Sequence, residues 1–326
     1  MPDADRLPIS LLTGFLGSGK TSLLKRALAA AAFADTAVLI NELGEIGLDH
    51  YLVETVDGPV LELPGGCLCC AVREDLAAGL RDLLRRRDEG RAPPFRRVVI
   101  ETTGLADPAP ILFTLGAEPM LDARLALDRV VTTVDALAAA TTLARYAEAA
   151  RQIAIADRLV VTKTDLAPLS EVLANRLAAL NPAAERCLAA DGTALGEVLF
   201  GAAPELRLRP PAPDHAAHSH GVTAFAVVLR GACSRLDFAR ALGGLARERG
   251  EGLLRVKGIV GFSDRPERPA FVQGAQHALY PPVWLDGWRD ADRRSRLQFI
   301  VDGIDRAEIL DRFAFAAAEP YTPAAE

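Results

Sequence analysis

The sequence predicts an α/β fold: a parallel sheet with helices on both faces, followed by a smaller C-terminal α+β domain. Three observations carry that expectation. Short apolar runs alternate with helical patterns from residue 8 to about 200, the order that builds a parallel sheet. The runs are rich in Val, Ile and Leu with little alternation, as strands buried on both faces require. The pattern then breaks at RPPAPDHAAHSHG, 209–221, a Pro-, Ala- and His-rich stretch without apolar period that reads as a linker.

In chain order, ISLLT (9–13), TAVLIN (36–41), RRVVIE (96–101), LDRVVTTVD (127–135) and DRLVVTK (157–163) are the expected strands. TSLLKRALAAA begins a helix at a Lys-Thr pair. EDLAAGLRDLLRRRDEG puts acids in its first turn, arginines in its last and a glycine after it, matching the helix dipole at both ends. SEVLANRLAALNP starts on a serine cap and stops before a proline. After the linker, TAFAVVLR, GLLRVKGIVGF, PAFVQGAQH and RSRLQFIVDG read as strands, and SRLDFARALGGLARERG and RAEILDRF as helices. The expected boundaries are 1–208 for the α/β domain, 209–221 for the linker, 222–316 for the second domain and 317–326 for a flexible tail.

Composition narrows the function classes. The net charge of −6 argues against a nucleic-acid partner bound through a basic surface. The N-terminus MPDADRLPISLL has no basic region ahead of a long apolar run, so no secretory signal is expected. The longest apolar candidate, ALAAAAFADTAVLI, is broken by Asp35 and falls short of the roughly 20 residues that cross a bilayer. The expected location is cytoplasmic, with no membrane partner. In that reducing setting, clustered cysteines point to metal or redox chemistry before structural disulfides.

GFLGSGKT, 14–21, fits G-x-x-x-x-G-K-[ST] and stands between an expected strand and an expected helix, the context that makes the pattern a phosphate-binding loop. Gly14, Gly17 and Gly19 let backbone N–H groups curl round phosphate oxygens, with Ser18 inside the stretch and Ser22 just after it also expected to bind the nucleotide. Lys20 reaches the β- and γ-phosphates, and Thr21 offers a hydroxyl to Mg²⁺. The fold class is therefore that of a P-loop NTPase. In VVIETTGLADP, 98–108, Glu101 ends a buried strand where a nucleotide hydrolase keeps the carboxylate that orients Mg²⁺ or the attacking water. Lys20 and Glu101 are the expected catalytic residues. The N–H of Gly104 is expected to meet the γ-phosphate. TKTD, 162–165, matches [NT]-K-x-D: the Asp165 carboxylate can accept from N1–H and the 2-amino group of guanine, a donor pair adenine lacks. The stem of Lys163 can lie on base and ribose, and Thr162 stands where asparagine is commoner.

GGCLCC, 65–70, gathers Cys67, Cys69 and Cys70 ahead of a helix expected to start near Val72 or Arg73. Helix N-terminus and arginine both favour thiolates. Three thiolates suit a soft or borderline ion and leave a tetrahedral one a ligand short; a redox switch and buried core cysteines are the alternatives. NELGEIGLDH, 41–50, carries Glu42, Glu45 and Asp49 after the second strand: Glu42 can supply the missing ligand and Asp49 can approach Mg²⁺, or the loop is a solvated acidic one. His215, His218 and His220 can relay metal or simply belong to a polar linker. His50, His277, Cys187 and Cys233 stand alone, and packing or surface roles are expected for them.

In this order, GFLGSGKT, NELGEIGLD, GGCLCC, ETTGLADP and TKTD resemble the CobW-like metal-handling P-loop GTPases, which share a broad class with the nickel-insertion GTPases. LLRVKGIV, VQGAQH and Trp288 followed by RSRLQFI extend the likeness through the C-terminal domain. The resemblance implies a metal site formed by Cys67, Cys69, Cys70 and Glu42 and coupled to bound Mg²⁺-GTP. The expected function is a GTP-dependent metallochaperone that carries a divalent metal, Zn²⁺ first and Co²⁺ second, to an apo-metalloprotein client. The alternative is a zinc- or redox-sensing GTP switch that regulates a partner without delivering metal. An ATP-dependent small-molecule kinase is disfavoured by TKTD. Monomer or weak homo-oligomer is the expected state. With no evident arginine finger or water-orienting glutamine, intrinsic hydrolysis should be slow.

Overall fold

The strand β1 (Leu7–Gly14) buries every residue from Ile9 to Gly14, which only a central strand covered on both faces can do. In the computed structural model the described residues are 6–30, 33, 35–41, 60–63, 69–189, 195–200, 220–288 and 292–321. They form two compact units, 1–173 with 184–204 and 174–183 with 205–326. Among them no helix is long and apolar enough to cross a membrane.

The first unit continues with α1 (Lys20–Leu28), β2 (Thr36–Asn41), β3 (Val60–Leu63), α2 (Cys69–Asp88), β4 (Arg97–Thr102), α3 (Ala109–Ala117), α4 (Pro119–Arg124), β5 (Leu125–Asp135), α5 (Ala139–Arg145), α6 (Ala147–Ala154) and β6 (Arg158–Thr162). Then follow α7 (Glu171–Leu180), which falls to the second unit from Ala174 on, and, in the first unit again, β7 (Glu185–Leu188) and α8 (Leu195–Phe200). The strands pair in the order β3-β2-β4-β1-β5-β6-β7, and every pairing is parallel. Successive strand residues face opposite sides. Leu12, Val38, Val99, Val131 and Val160 form one core with Leu23, Leu24 and Ala27 of α1 and Leu199 of α8. Their neighbours Leu11, Leu39, Ile100, Val130 and Leu159 are equally buried on the other face. β4 lies between β1 and β2, so the chain crosses over at β1, and ligands of such sheets gather at the C-terminal strand ends near that crossover.

Helix α2 starts earlier than the sequence suggests. It begins at Cys69, not near Val72 or Arg73, and its first turn holds no acid. Acids favour a helix start but are not required for one, and Cys-Cys-Ala-Val contains nothing that breaks a helix.

The second unit is an antiparallel sheet of β8 (Val222–Leu229), β9 (Arg255–Phe262), β10 (Arg265–Ala275), β11 (Ala278–Leu279), β12 (Val283–Trp284), β13 (Ser295–Asp302) and β14 (Ala318–Pro320), with helices α9 (Arg235–Arg249) and α10 (Arg306–Arg312). The strand order is β11-β10-β9-β13-β8-β14, with β12 also on β10. Ser234 caps α9 by accepting the Asp237 N–H at 3.1 Å. Phe238, Leu242 and Leu245 of α9 and Ile309 of α10 pack with Phe225, Val256, Leu297 and Phe299 of the sheet. A flexible tail from residue 317 is not what residues 317–321 form. Ala317 takes a left-handed φ of 48°, and Ala318–Pro320 then pair with Leu229–Val227 as β14. Tyr321 donates its N–H to the Ala226 carbonyl at 2.9 Å.

Candidate functional site

The loop from Gly14 to Lys20 joins the end of β1 to the start of α1 and needs glycine for two different reasons. A Cβ on Gly14, where φ is 138°, would run into the side chain and carbonyl of Thr133. Gly19, at φ 90°, has ordinary space beside Thr162; its requirement is the left-handed backbone itself. Gly19 also caps α1 without a side chain, which leaves the first N–H groups of that helix available to an anion. Lys20 is 8% exposed. Its Nζ donates to the carbonyls of Gly14 at 2.9 Å and Phe15 at 3.3 Å. Ser18 and Thr133 share a hydroxyl–hydroxyl hydrogen bond of 2.6 Å that fixes the loop to β5.

A cavity of about 460 Å³ opens over this loop. Gly17, Gly19, Lys20, Thr21, Ser22 and Leu16 line it from one side, and Ile40, Glu101, Thr102, Thr103, Gly104 and Lys163 from the others. The Thr21 hydroxyl donates to Glu101 Oε1 at 2.6 Å, and Glu101 itself is 5% exposed. A Cβ on Gly104 would meet the backbone of Leu16, so the segment after β4 lies directly on the phosphate loop. The structure thus brings together Gly14, Gly17, Ser18, Gly19, Lys20, Thr21, Ser22, Glu101 and Gly104.

At the end of β6, Thr162 is buried and donates its hydroxyl to the Ser18 carbonyl at 2.8 Å. Lys163 adopts φ 58°, its carbonyl accepts the N–H groups of Leu166 and Ala167 at 3.0 and 3.1 Å, and its Nζ meets Asp135 Oδ2 at 2.6 Å. Asp165 stands exposed just beyond.

Of the metal-site candidates, Glu42, Asp49 and Cys67 lie outside the described residues. Cys69 and Cys70 open α2, and their side chains lie outside the description as well. Glu45, His50, His215 and His218 are likewise outside it. Among the described residues no three His, Cys, Asp or Glu side chains gather to hold a metal ion. Neither Cys187 nor Cys233 is in a disulfide, and the Cys187 thiol donates to the Leu159 carbonyl at 3.7 Å. Burial, reinforced by the Asp237 carboxylate, pushes the Cys233 thiol from 9.0 up to about 11.

Two residues at this site carry no motif and are missed by sequence reasoning. Gln152, on α6 and 1% exposed, donates from Nε2 to the carbonyls of Gly104 at 3.1 Å and Ala106 at 3.0 Å. Asp135 ends β5 opposite Thr162. An acid at the end of the expected strand LDRVVTTVD is its only sequence signal; its place opposite TKTD comes from the pairing of β5 with β6.

Comparison with known proteins agrees with this geometry. A family model described as the CobW/HypB/UreG nucleotide-binding domain matches residues 8–187, and one described as the cobalamin synthesis protein CobW C-terminal domain matches 222–317. The zinc chaperone YjiA of Escherichia coli is 34% identical over 95% of this chain and 98% of its own. The zinc chaperone CobW of Pseudomonas aeruginosa is 31% identical over 96% and 92%. The crystal structure of Zn(II)-bound YjiA GTPase superimposes with a TM-score of 0.71 at 29% identity, covering 95% of this chain and 99% of that one. With both family models matched in order and the nucleotide cradle assembled at the sheet crossover, the chain belongs to the CobW/HypB/UreG family and is a P-loop GTPase with a CobW C-terminal domain.

Proposed function

We propose that the chain is a GTP-dependent metallochaperone. It binds zinc at Cys67, Cys69, Cys70 and Glu42 and gives it to an apo-metalloprotein client when GTP is hydrolysed; cobalt is the second candidate cargo. The observation that carries the reading is a register. Ile40 pairs with Glu101 and Asn41 with Thr102, so β2 ends beside Glu101, and Glu42 is the next residue in the sequence. The zinc chaperones named above, similar along nearly the whole chain, support the choice of metal.

In this reading the phosphate chain lies on the N–H groups of residues 14–21, with Lys20 against the β- and γ-phosphates. The Thr21 hydroxyl and Glu101 carboxylate are hard oxygen donors side by side, the type Mg²⁺ takes, and both would hold that ion, with Asp49 approaching it. Mg²⁺ would neutralise charge on the β- and γ-phosphates. Gly104 reports the γ-phosphate, and Thr162, Lys163 and Asp165 recognise guanine. The γ-phosphate orders the Glu42 and Cys67 segments, hydrolysis releases them, and by linkage zinc tightens GTP binding by the factor that GTP tightens zinc.

The test is zinc affinity by chelator competition, with Mg²⁺ and a non-hydrolysable GTP analogue and then with Mg²⁺-GDP. The reading expects one zinc bound at least about tenfold tighter in the GTP state, equal to about 1.4 kcal/mol of coupling, and lost in the triple Cys67, Cys69, Cys70→Ser variant. Equal affinity in the two states sinks hydrolysis-driven handover and leaves a GTP switch whose cysteines serve sensing or structure.

A further inference from the structure

We infer that Asp135 is a positioning residue for the nucleotide, acting through Lys163. The inference deepens the proposed guanine-binding reading and rests on it. Lys163 lines the nucleotide cavity, and a lysine free to move there would send its ammonium to the phosphates, the nearest concentrated negative charge. Here the ammonium is already engaged: Nζ lies 2.6 Å from Asp135 Oδ2. What Lys163 offers the ligand is therefore its four-carbon stem, an apolar ledge suited to the face of a base and the edge of a ribose.

Asp135 is built to hold that ledge still. Its other oxygen accepts the N–H groups of Leu137 at 2.8 Å and Ala138 at 3.3 Å, so the turn after β5 sets the direction of the carboxylate. Its strand is in register with β6 at Asp135 and Thr162, and the Ala136 N–H donates to the Thr162 carbonyl at 3.1 Å. Thr162 in turn holds Ser18 of the phosphate loop. Base ledge and phosphate cradle thus hang from one strand pair. Lys163 also has a left-handed backbone, φ 58°, which a lysine adopts only where its surroundings hold it. The turn holds its carbonyl, and Asp135 holds the far end of its side chain.

The experiment is a stopped-flow measurement of dissociation of fluorescent GDP and ADP analogues from the full chain, wild type against Asp135→Asn, Lys163→Met and the double variant. Asn keeps an oxygen for the Leu137 and Ala138 N–H groups and removes the charge. GDP should leave at least about fivefold faster from each single variant, and the double variant should be no faster than Lys163→Met, because both changes break one interaction. Lys163→Arg keeps stem and cation and should stay near wild type, a comparison that needs no change at Asp135. An unchanged rate in Asp135→Asn, effects that add fully in the double variant, or an Arg variant as fast as the Met variant would each overturn the inference. The guanine reading is judged separately, from wild type alone: it fails if the ADP analogue is held as long as the GDP analogue, while the cycle still reads the clamp on either nucleotide.

Discussion

The hydroxyl of Thr162 donates 2.8 Å to the carbonyl of Ser18, tying the end of β6 to the phosphate loop across 144 positions of the chain. The Val134 carbonyl, at 3.3 Å, is a second acceptor. Threonine in place of asparagine thus still performs a holding task here. Thr162→Val keeps the shape and removes the donor, leaving the Ser18 carbonyl in place with its partner gone. The expected cost is about 1–3 kcal/mol of stability and about a tenfold rise in GDP dissociation constant. Denaturant unfolding and GDP titration read the two effects, and Thr162→Ser should recover most of both.

Gln152 grips the segment after β4 by two carbonyls, those of Gly104 and Ala106. Gln152→Leu removes both bonds at a buried position, at an expected cost of about 2 kcal/mol. Because that segment is proposed to meet only the γ-phosphate, affinity for a GTP analogue should fall more than affinity for GDP. Parallel calorimetric titrations with the two nucleotides check this; an equal loss for both would mean Gln152 supports the cradle as a whole.

Cys233 gives a pH prediction. Burial first, and the Asp237 carboxylate second, hold its thiol up at about 11 against an ordinary 9.0. The native state therefore keeps the proton more tightly than the unfolded chain. Its contribution is complete below pH 9 and is lost as pH rises through about 11, an amount of about 2–3 kcal/mol. Melting temperature should fall over that window in the wild type and fall less in Cys233→Ala. A neutral thiol is also a poor metal ligand, so zinc binding should be indifferent to this substitution.

The central strands are legible because burial on both faces favours unbroken runs of Val, Ile and Leu, with the few buried polar residues, such as Thr36 and Thr132, short enough not to break them: TAVLIN is expected at 36–41 and β2 spans Thr36–Asn41. β7, ERCL, escaped notice because its first two residues are exposed and its last two only partly buried. Helices α3 to α6 span 6 to 9 residues each and are not read from the sequence; α3, APILFTLGA, has no charged residue to mark a polar face, whereas α1 and α10, no longer, carry charged side chains between their apolar positions. The same divide runs through the site. The glycines, Lys20, Thr21 and Glu101 are spaced by the demands of one local loop and one strand end, and spacing is visible in sequence. Gln152 and Asp135 act on residues 48 and 28 positions away, and such partnerships come into being only when the chain folds.

The return of Ala318–Pro320 onto β8 has a consequence for self-association. β8 pairs with β13 along its whole length, Val222 to Leu229, and its other edge is closed by β14 at Val227–Leu229. A sheet edge with open backbone groups is a template for another chain's strand. Pro320 has no N–H to offer outward, and Glu319 holds a charge there in its pair with Arg230. Along Val227–Leu229, β14 therefore acts as a selvedge, a finished border that keeps this stretch of the sheet from being stitched to the next, and a chain cut at Ala317 would lose it.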